Sequence, residues 1–279
     1  MTTLGTLSIH LDGKPCAVGC AFCYLGSRTG PSAPGARAPG LPRWVEEALA
    51  TLRYEEVAVA VSEPLDQAAP LVRRIVAAAR RPVAVTTTPQ LARRAPSLFD
   101  GVARVNLSID SYKGVVAPER VGALADGLKR THPRLEVVLL ATLDTPAFAA
   151  RLVDGLLTAL VDLPAVDKVA LSALKPPPDW CDRDFWMRSL GRLQPLLARA
   201  LDTRLYLDCY VAARLLGLGA CPARADLSPA AATAADGDAV AFRSCVYQPA
   251  PDFVAADALT LATRLARFAA PAACPFPIR

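Results

Sequence analysis

Histidine is nearly missing from this chain, with only His10 and His132 among 279 residues. Neither stands near a nucleophile pattern, so hydrolysis through an imidazole base has little support. Also missing is any run of about eighteen uninterrupted apolar residues, because Asp144, Arg151, Asp154 and Asp162 break the most hydrophobic region. The N-terminus shows no basic region followed by an apolar core, so neither a secretory leader nor a membrane partner is expected and the chain reads as cytoplasmic. A concentrated basic block is absent too. The 31 Lys+Arg against 26 Asp+Glu leave +5, scattered in pairs such as Arg73-Arg74, Arg80-Arg81 and Arg93-Arg94. That charge is too diffuse for nucleic acid, and the pairs read as solvated helix faces or ends.

What is present is an ordinary globular composition, 53% hydrophobic and 20% charged, long enough for one large domain with an appendage. Abundant Ala and 25 Pro point to short helices joined by stiff loops. In a reducing compartment, eight Cys suggest metal binding or catalysis before disulfides.

Short apolar runs alternate with helical spacing along most of the chain. Strands are expected at 6–11, 57–61, 83–87, 105–109, 137–141, 169–171 and 205–207, with helices at 44–52, 71–79, 91–99, 121–128, 148–160 and 186–201. Parallel strands need crossover helices, so six strand–helix units predict an α/β fold, a partial (β/α)6 TIM-like barrel. In such barrels the chemistry collects on loops leaving the carboxyl ends of the strands. Residues 1–205 are expected to form the barrel. Residues 206–279 form a small C-terminal extension, with a loop of small residues at 228–238, a strand at 239–242 and a late helix at 256–268.

The strongest signal is Cys16-x3-Cys20-x2-Cys23, in the loop after the first expected strand. Three thiolates within eight residues can wrap three corners of a cubane cluster and leave one iron open to substrate. A structural zinc site normally wants a fourth ligand at paired spacing, and no second C-x2-C or nearby His offers one.

With Phe22 between the second and third Cys, the loop resembles the C-x3-C-x-aromatic-C signature of the radical S-adenosylmethionine superfamily, whose fold is a partial barrel of six strand–helix units. The resemblance implies that Cys16, Cys20 and Cys23 ligate a four-iron, four-sulfur (4Fe-4S) cluster that binds S-adenosylmethionine. One electron then breaks the sulfonium bond, and the resulting 5'-deoxyadenosyl radical abstracts a hydrogen atom from substrate. An external electron donor such as a flavodoxin or ferredoxin is implied with it.

The resemblance extends over about residues 6 to 175. Val61-Ser62-Glu63-Pro64 stands where the family usually has Gly-Gly-Glu-Pro, which assigns Glu63 to the methionyl ammonium, with Ser62 replacing the second Gly. Ser108-Ile109-Asp110 resembles the Ser-x-Asp of the fourth strand, near ribose and carboxylate, and Thr86, Thr87 and Thr88 stand where Thr-Asn is often found. Read without the resemblance, Ser108, Asp110 and Glu63 serve equally as caps and turn formers.

Cys181, Cys209, Cys221, Cys245 and Cys274 lie outside that motif. The last four cluster in the extension and loosely resemble the ligands of auxiliary-cluster extensions in the superfamily. The C-x2-C and C-x5-C-x3-C spacings of the fuller version are missing, so at most one second iron-sulfur cluster is expected. Cys221, Cys245 and Cys274 are its better ligands and Cys181 the poorest, while Cys209 reads equally as a small core residue.

The first strand begins within about six residues of Met1, so no N-terminal peptide-recognition or cobalamin-binding domain is expected. The substrate is read as a peptide or a small molecule. Candidate contacts are Tyr24, Tyr112, Lys113 and, in the rigid Lys175-Pro176-Pro177-Pro178-Asp179-Trp180 loop, Trp180. The alternative is a non-catalytic protein whose Cys bind zinc or a cluster for structure or electron transfer.

Overall fold

The computed structural model describes residues 4–10, 43–61, 65–113, 117–175, 177–217, 224–229, 240–243, 252–255 and 258–267. The chain divides into two compact units, one of residues 1–86, 97–103 and 222–271, the other of 87–96, 104–221 and 272–279.

The first unit holds β1 (Leu4–His10), α1 (Arg43–Thr51), β2 (Tyr54–Ala60), α2 (Leu65–Ala78) and β3 (Val83–Thr87, whose last residue counts with the second unit). β1, β2 and β3 are parallel, with Ile9 beside Val59 and Val59 beside Val85. Leu7, Ile9, Val57, Val59 and Val85 are fully buried, as expected for strands covered by helices.

The second unit holds α3 (Pro89–Arg94), β4 (Arg104–Ile109), α4 (Pro118–Thr131), β5 (Glu136–Leu143), α5 (Pro146–Arg151), α6 (Leu157–Val161), β6 (Lys168–Ala173), α7 (Arg183–Ala200), β7 (Leu205–Leu207) and α8 (Cys209–Leu216). Its strands run in the order β4-β5-β6-β7, all parallel. The architecture is therefore α/β, with the strand–helix alternation of a partial TIM-like barrel. No helix among the described residues is long and apolar enough to cross a membrane.

Three further strands belong to the first unit: β8 (Arg224–Pro229), β9 (Val240–Arg243) and β10 (Phe253–Ala255), followed by α9 (Ala258–Arg267). β8 lies parallel to β1 on the edge opposite β2, and β9 and β10 extend that sheet antiparallel. The sequence led us to expect a loop from residue 228. Instead Ser228 and Pro229 finish a strand whose pairing comes from the β1 edge, since Arg-Ala-Asp-Leu-Ser-Pro carries no apolar run of its own.

Two expected helices are interrupted for local reasons. The one at 91–99 ends at Arg94 and a 3-10 turn follows from Pro96, because Pro disfavours helical backbone at Ala95, which sits at φ −134 and ψ 68. The one at 148–160 is split between α5 and α6 by a wide π turn at Leu152–Leu156, where Gly155 takes φ 134.

Candidate functional site

The site is built in the second unit, where strand alternation sorts the two faces of the β4–β7 sheet. Val105, Leu107, Ile109, Val137, Leu139, Ala141, Val169 and Leu171 point to one face and are buried by helices. The other face carries Ser108, Leu140, Ala170 and Tyr206 in one row of paired strands and Thr142 beside Ser172 in the next. All six are only half-buried. Ser108, Ala170, Thr142 and Ser172 are small, whereas Leu140 and Tyr206 are large, and on the same face Asn106 and Val138, nearer the amino ends, are buried.

Its amino end is closed by charge. Glu136 pairs with Lys168 at 2.6 Å and with Arg104 at 3.8 Å, and the Lys168 ammonium lies 5.3 Å from the centre of the Tyr206 ring. The hydrogen bond to Glu136 is the main reason the Lys168 pKa stands above its ordinary 10.5, with burial acting against it.

The carboxyl end carries the charged side chains Asp110, Lys113, Asp144, Lys175 and Asp208. Asp110, just past β4, is buried, and its Oδ1 accepts from the backbone N–H of Tyr112 and of Lys113, both at 3.0 Å, while Oδ2 takes the Lys113 ammonium at 2.5 Å. Asp110 thus closes the turn after β4, the turn-forming role that its residue type allowed. Ser108 stands half-buried on the other face, two residues before it.

Past β5, Asp144 is 7% exposed. Its Oδ2 accepts from the Ser111 N–H at 2.9 Å and from the Ser111 hydroxyl at 2.5 Å, whereas its Oδ1 is buried with no partner. Thr87 Oγ1 and Gln90 Oε1 are likewise buried and unpartnered, although the Gln90 amide donates to the Lys113 carbonyl. Native proteins rarely leave such groups unsatisfied, so three unpartnered acceptors around the ends of β3, β4 and β5 suit a ligand rich in N–H or O–H donors.

Past β6 and β7, Lys175 is buried with its ammonium 3.2 Å from Cys209 Sγ and 3.4 Å from Asp208 Oδ2. Asp208 also caps α8, its Oδ1 accepting from the Val211 N–H at 2.7 Å, which places Cys209 at the first helical position. Thr142 and Ser172 share a hydrogen bond at 3.0 Å.

The other expected contacts are dispersed. Thr88 caps α3, accepting from the Leu91 N–H. Tyr112 is exposed, and Trp180 packs edge-on against Phe185 at 5.5 Å, lining a 330 Å³ recess with Pro146, Arg188 and Arg192. Cys181 is buried beside Trp186, and burial pushes its thiol up to about 11. Cys16, Cys20, Phe22, Cys23, Tyr24, Glu63, Cys221, Cys245 and Cys274 lie outside the described residues. Among the described residues no group of three or more His, Cys, Asp and Glu could hold a metal ion.

Sequence reasoning passed over Asp144, Ser111, Thr142, Ser172 and the pairing of Lys175 with Cys209. The available signal was Asp at the end of a strand, in Leu143-Asp144-Thr145-Pro146 and Leu207-Asp208-Cys209, which reads as capping chemistry and conceals the rest. No protein-family model matches the chain, and no curated protein matches it either.

Proposed function

We propose that this protein is a radical S-adenosylmethionine enzyme acting on a peptide or small-molecule substrate, with electrons from an external donor such as a flavodoxin or ferredoxin. The observation that carries the reading is Cys16-x3-Cys20-x2-Cys23 with Phe22, in the segment that follows β1 of a parallel strand–helix fold. Three soft thiolates suit an iron-sulfur cluster, and they leave its fourth iron for an exchangeable ligand. When bound, the cluster and S-adenosylmethionine supply the 5'-deoxyadenosyl radical, chemistry that no side chain performs.

The chain's own residues have narrower tasks. Asp110 fixes the turn after β4 through Tyr112 and Lys113, and Ser111 orients the Asp144 carboxylate. Asp144 Oδ1, Thr87 Oγ1 and Gln90 Oε1 offer buried acceptors to donors on cofactor or substrate. The half-buried Ser108, Thr142 and Ser172 share one face of the β4–β7 sheet. Phe22, Glu63, Ser108 and Asp110 are the proposed contacts to S-adenosylmethionine by resemblance, and Asp110 also closes the turn after β4. Any auxiliary cluster is assigned to Cys221, Cys245 and Cys274.

The test is anaerobic. The protein is reconstituted with iron and sulfide, reduced, given S-adenosylmethionine, and assayed for 5'-deoxyadenosine by mass spectrometry. Release of 5'-deoxyadenosine, lost in the Cys16/Cys20/Cys23→Ala variant, is expected. A protein that binds zinc or a fully ligated cluster and releases none is the non-catalytic alternative.

A further inference from the structure

Lys175 and Cys209 meet just past the ends of β6 and β7. The Lys175 side chain is only 4% exposed, and its nitrogen lies 3.2 Å from Cys209 Sγ, with the Asp208 carboxylate 3.4 Å from the same nitrogen. Cys209 is half-buried as a residue, in contrast to the buried Cys181. Three features thus meet: an oxidisable sulfur, an amine in contact with it, and a carboxylate beside the amine to receive a proton. Cys181, the other free thiol among the described residues, is buried and held protonated.

We infer that Lys175 and Cys209 are a modification site, forming a reversible sulfur–nitrogen crosslink when the protein meets a peroxide. Hydrogen peroxide oxidises the Cys209 thiol to a sulfenic acid by two electrons, its O–O bond breaking and one water leaving. Sulfenic sulfur is electrophilic and condenses with nitrogen nucleophiles. The Lys175 ammonium gives one proton to Asp208 and the freed amine attacks sulfur. The S–O bond breaks, the N–S bond forms, and a second proton from nitrogen departs with the hydroxyl as water. The linked pair has lost two hydrogens. Two equivalents of an added thiol reverse it, restoring thiol and amine and becoming a disulfide. The crosslink ties the end of β6 to the first turn of α8 and removes a buried cation, protecting Cys209 from irreversible oxidation.

The full-length protein is treated with equimolar hydrogen peroxide under otherwise anaerobic conditions, its remaining thiols are alkylated, and it is digested and analysed by mass spectrometry. The expected product is the Lys175 peptide joined to the Cys209 peptide, lighter than their sum by two hydrogens. It should disappear with dithiothreitol, be missing in Cys209→Ser, and fall by more than about tenfold when peroxide is added in concentrated urea, where the folded contact is lost. Cys209 recovered as sulfinic or sulfonic acid with Lys175 unmodified would overturn the inference, and so would a crosslink forming equally well in urea. Neither result depends on the cofactor or on S-adenosylmethionine cleavage.

Discussion

Ser111 holds Asp144 across the ends of β4 and β5 by one oxygen only, giving its N–H and its hydroxyl to Oδ2 and leaving the buried Oδ1 with no donor. An unmet buried acceptor costs about 1–3 kcal/mol, so Oδ1 is the oxygen proposed to meet a donor on a ligand.

Asp144→Asn separates binding from folding. The amide oxygen still accepts from Ser111, but the acceptor offered to a ligand becomes a donor. We expect 5'-deoxyadenosine formation to fall by about tenfold or more, the loss of a charge-assisted hydrogen bond, while stability to urea changes by no more than about 1 kcal/mol. Unchanged turnover would remove Asp144 from the site.

Asp110→Ala should behave in the opposite way. It strips the Tyr112 and Lys113 N–H groups of their acceptor and leaves the mostly buried Lys113 ammonium without its carboxylate. A loss of about 2–4 kcal/mol in urea denaturation is expected, with Asp110→Asn intermediate because it keeps the turn.

Two glycines in helical segments should respond to alanine with opposite signs. Gly155 sits at φ 134 with nothing within 4 Å of where a Cβ would stand, so Gly155→Ala meets no clash and is disfavoured by backbone conformation alone, by about 1–2 kcal/mol. Gly191, inside α7, has equally open space and no positive φ, so Gly191→Ala should stabilise by about 0.5–1 kcal/mol. Thermal unfolding of the two variants checks both.

Cys181 makes stability fall in alkali. Its thiol stays protonated in the fold up to about 11, whereas the unfolded chain releases the proton near the ordinary 9.0. Below pH 9 both states hold the proton and the contribution is complete. Between pH 9 and 11 the unfolded state binds fewer protons, so stability declines, by about 2–3 kcal/mol in all. Cys181→Ala should flatten that part of the stability profile, and an unaltered slope would argue against the buried thiol as its source.

Cys209→Ser should leave the iron content of the reconstituted protein at the wild-type level, since the Cys209 sulfur is engaged by Lys175. A drop would return Cys209 to the set of cluster ligands.

The strands of the parallel repeat were legible because each is a short apolar run set off by polar turns. Val83–Thr87 and Leu205–Leu207 match their expected bounds to the residue. The helix Cys209–Leu216 was not anticipated, because Cys209 was read as a cluster ligand or a small core residue rather than as the first residue of a helix capped by Asp208. β10, Phe253–Ala255, was not anticipated either, since it lacks the run of alternating strands and helices that made the equally short Leu205–Leu207 legible. At the site, Thr87, Ser108 and Asp110 were visible in advance at the ends of their strands, whereas Ser111, Thr142, Asp144 and Ser172 were not. Which acceptor stays unpaired, and which amine meets which thiol, depends on strand order and side-chain direction, which linear spacing does not encode. The proposed cluster site is the reverse case, resting on the Cys16-x3-Cys20-x2-Cys23 spacing alone.

The caps also constrain how this protein can change. Thr88, Thr145 and Asp208 start α3, α5 and α8 directly after β3, β5 and β7, so the residues that begin these helices share a rim with those proposed to handle ligand. Redesign for a new substrate at that rim will therefore tend to erode folding as it alters selectivity. Engineers have a separate reserve at the opposite rim, where the Arg104–Glu136–Lys168 ladder can be strengthened first to offset the damage.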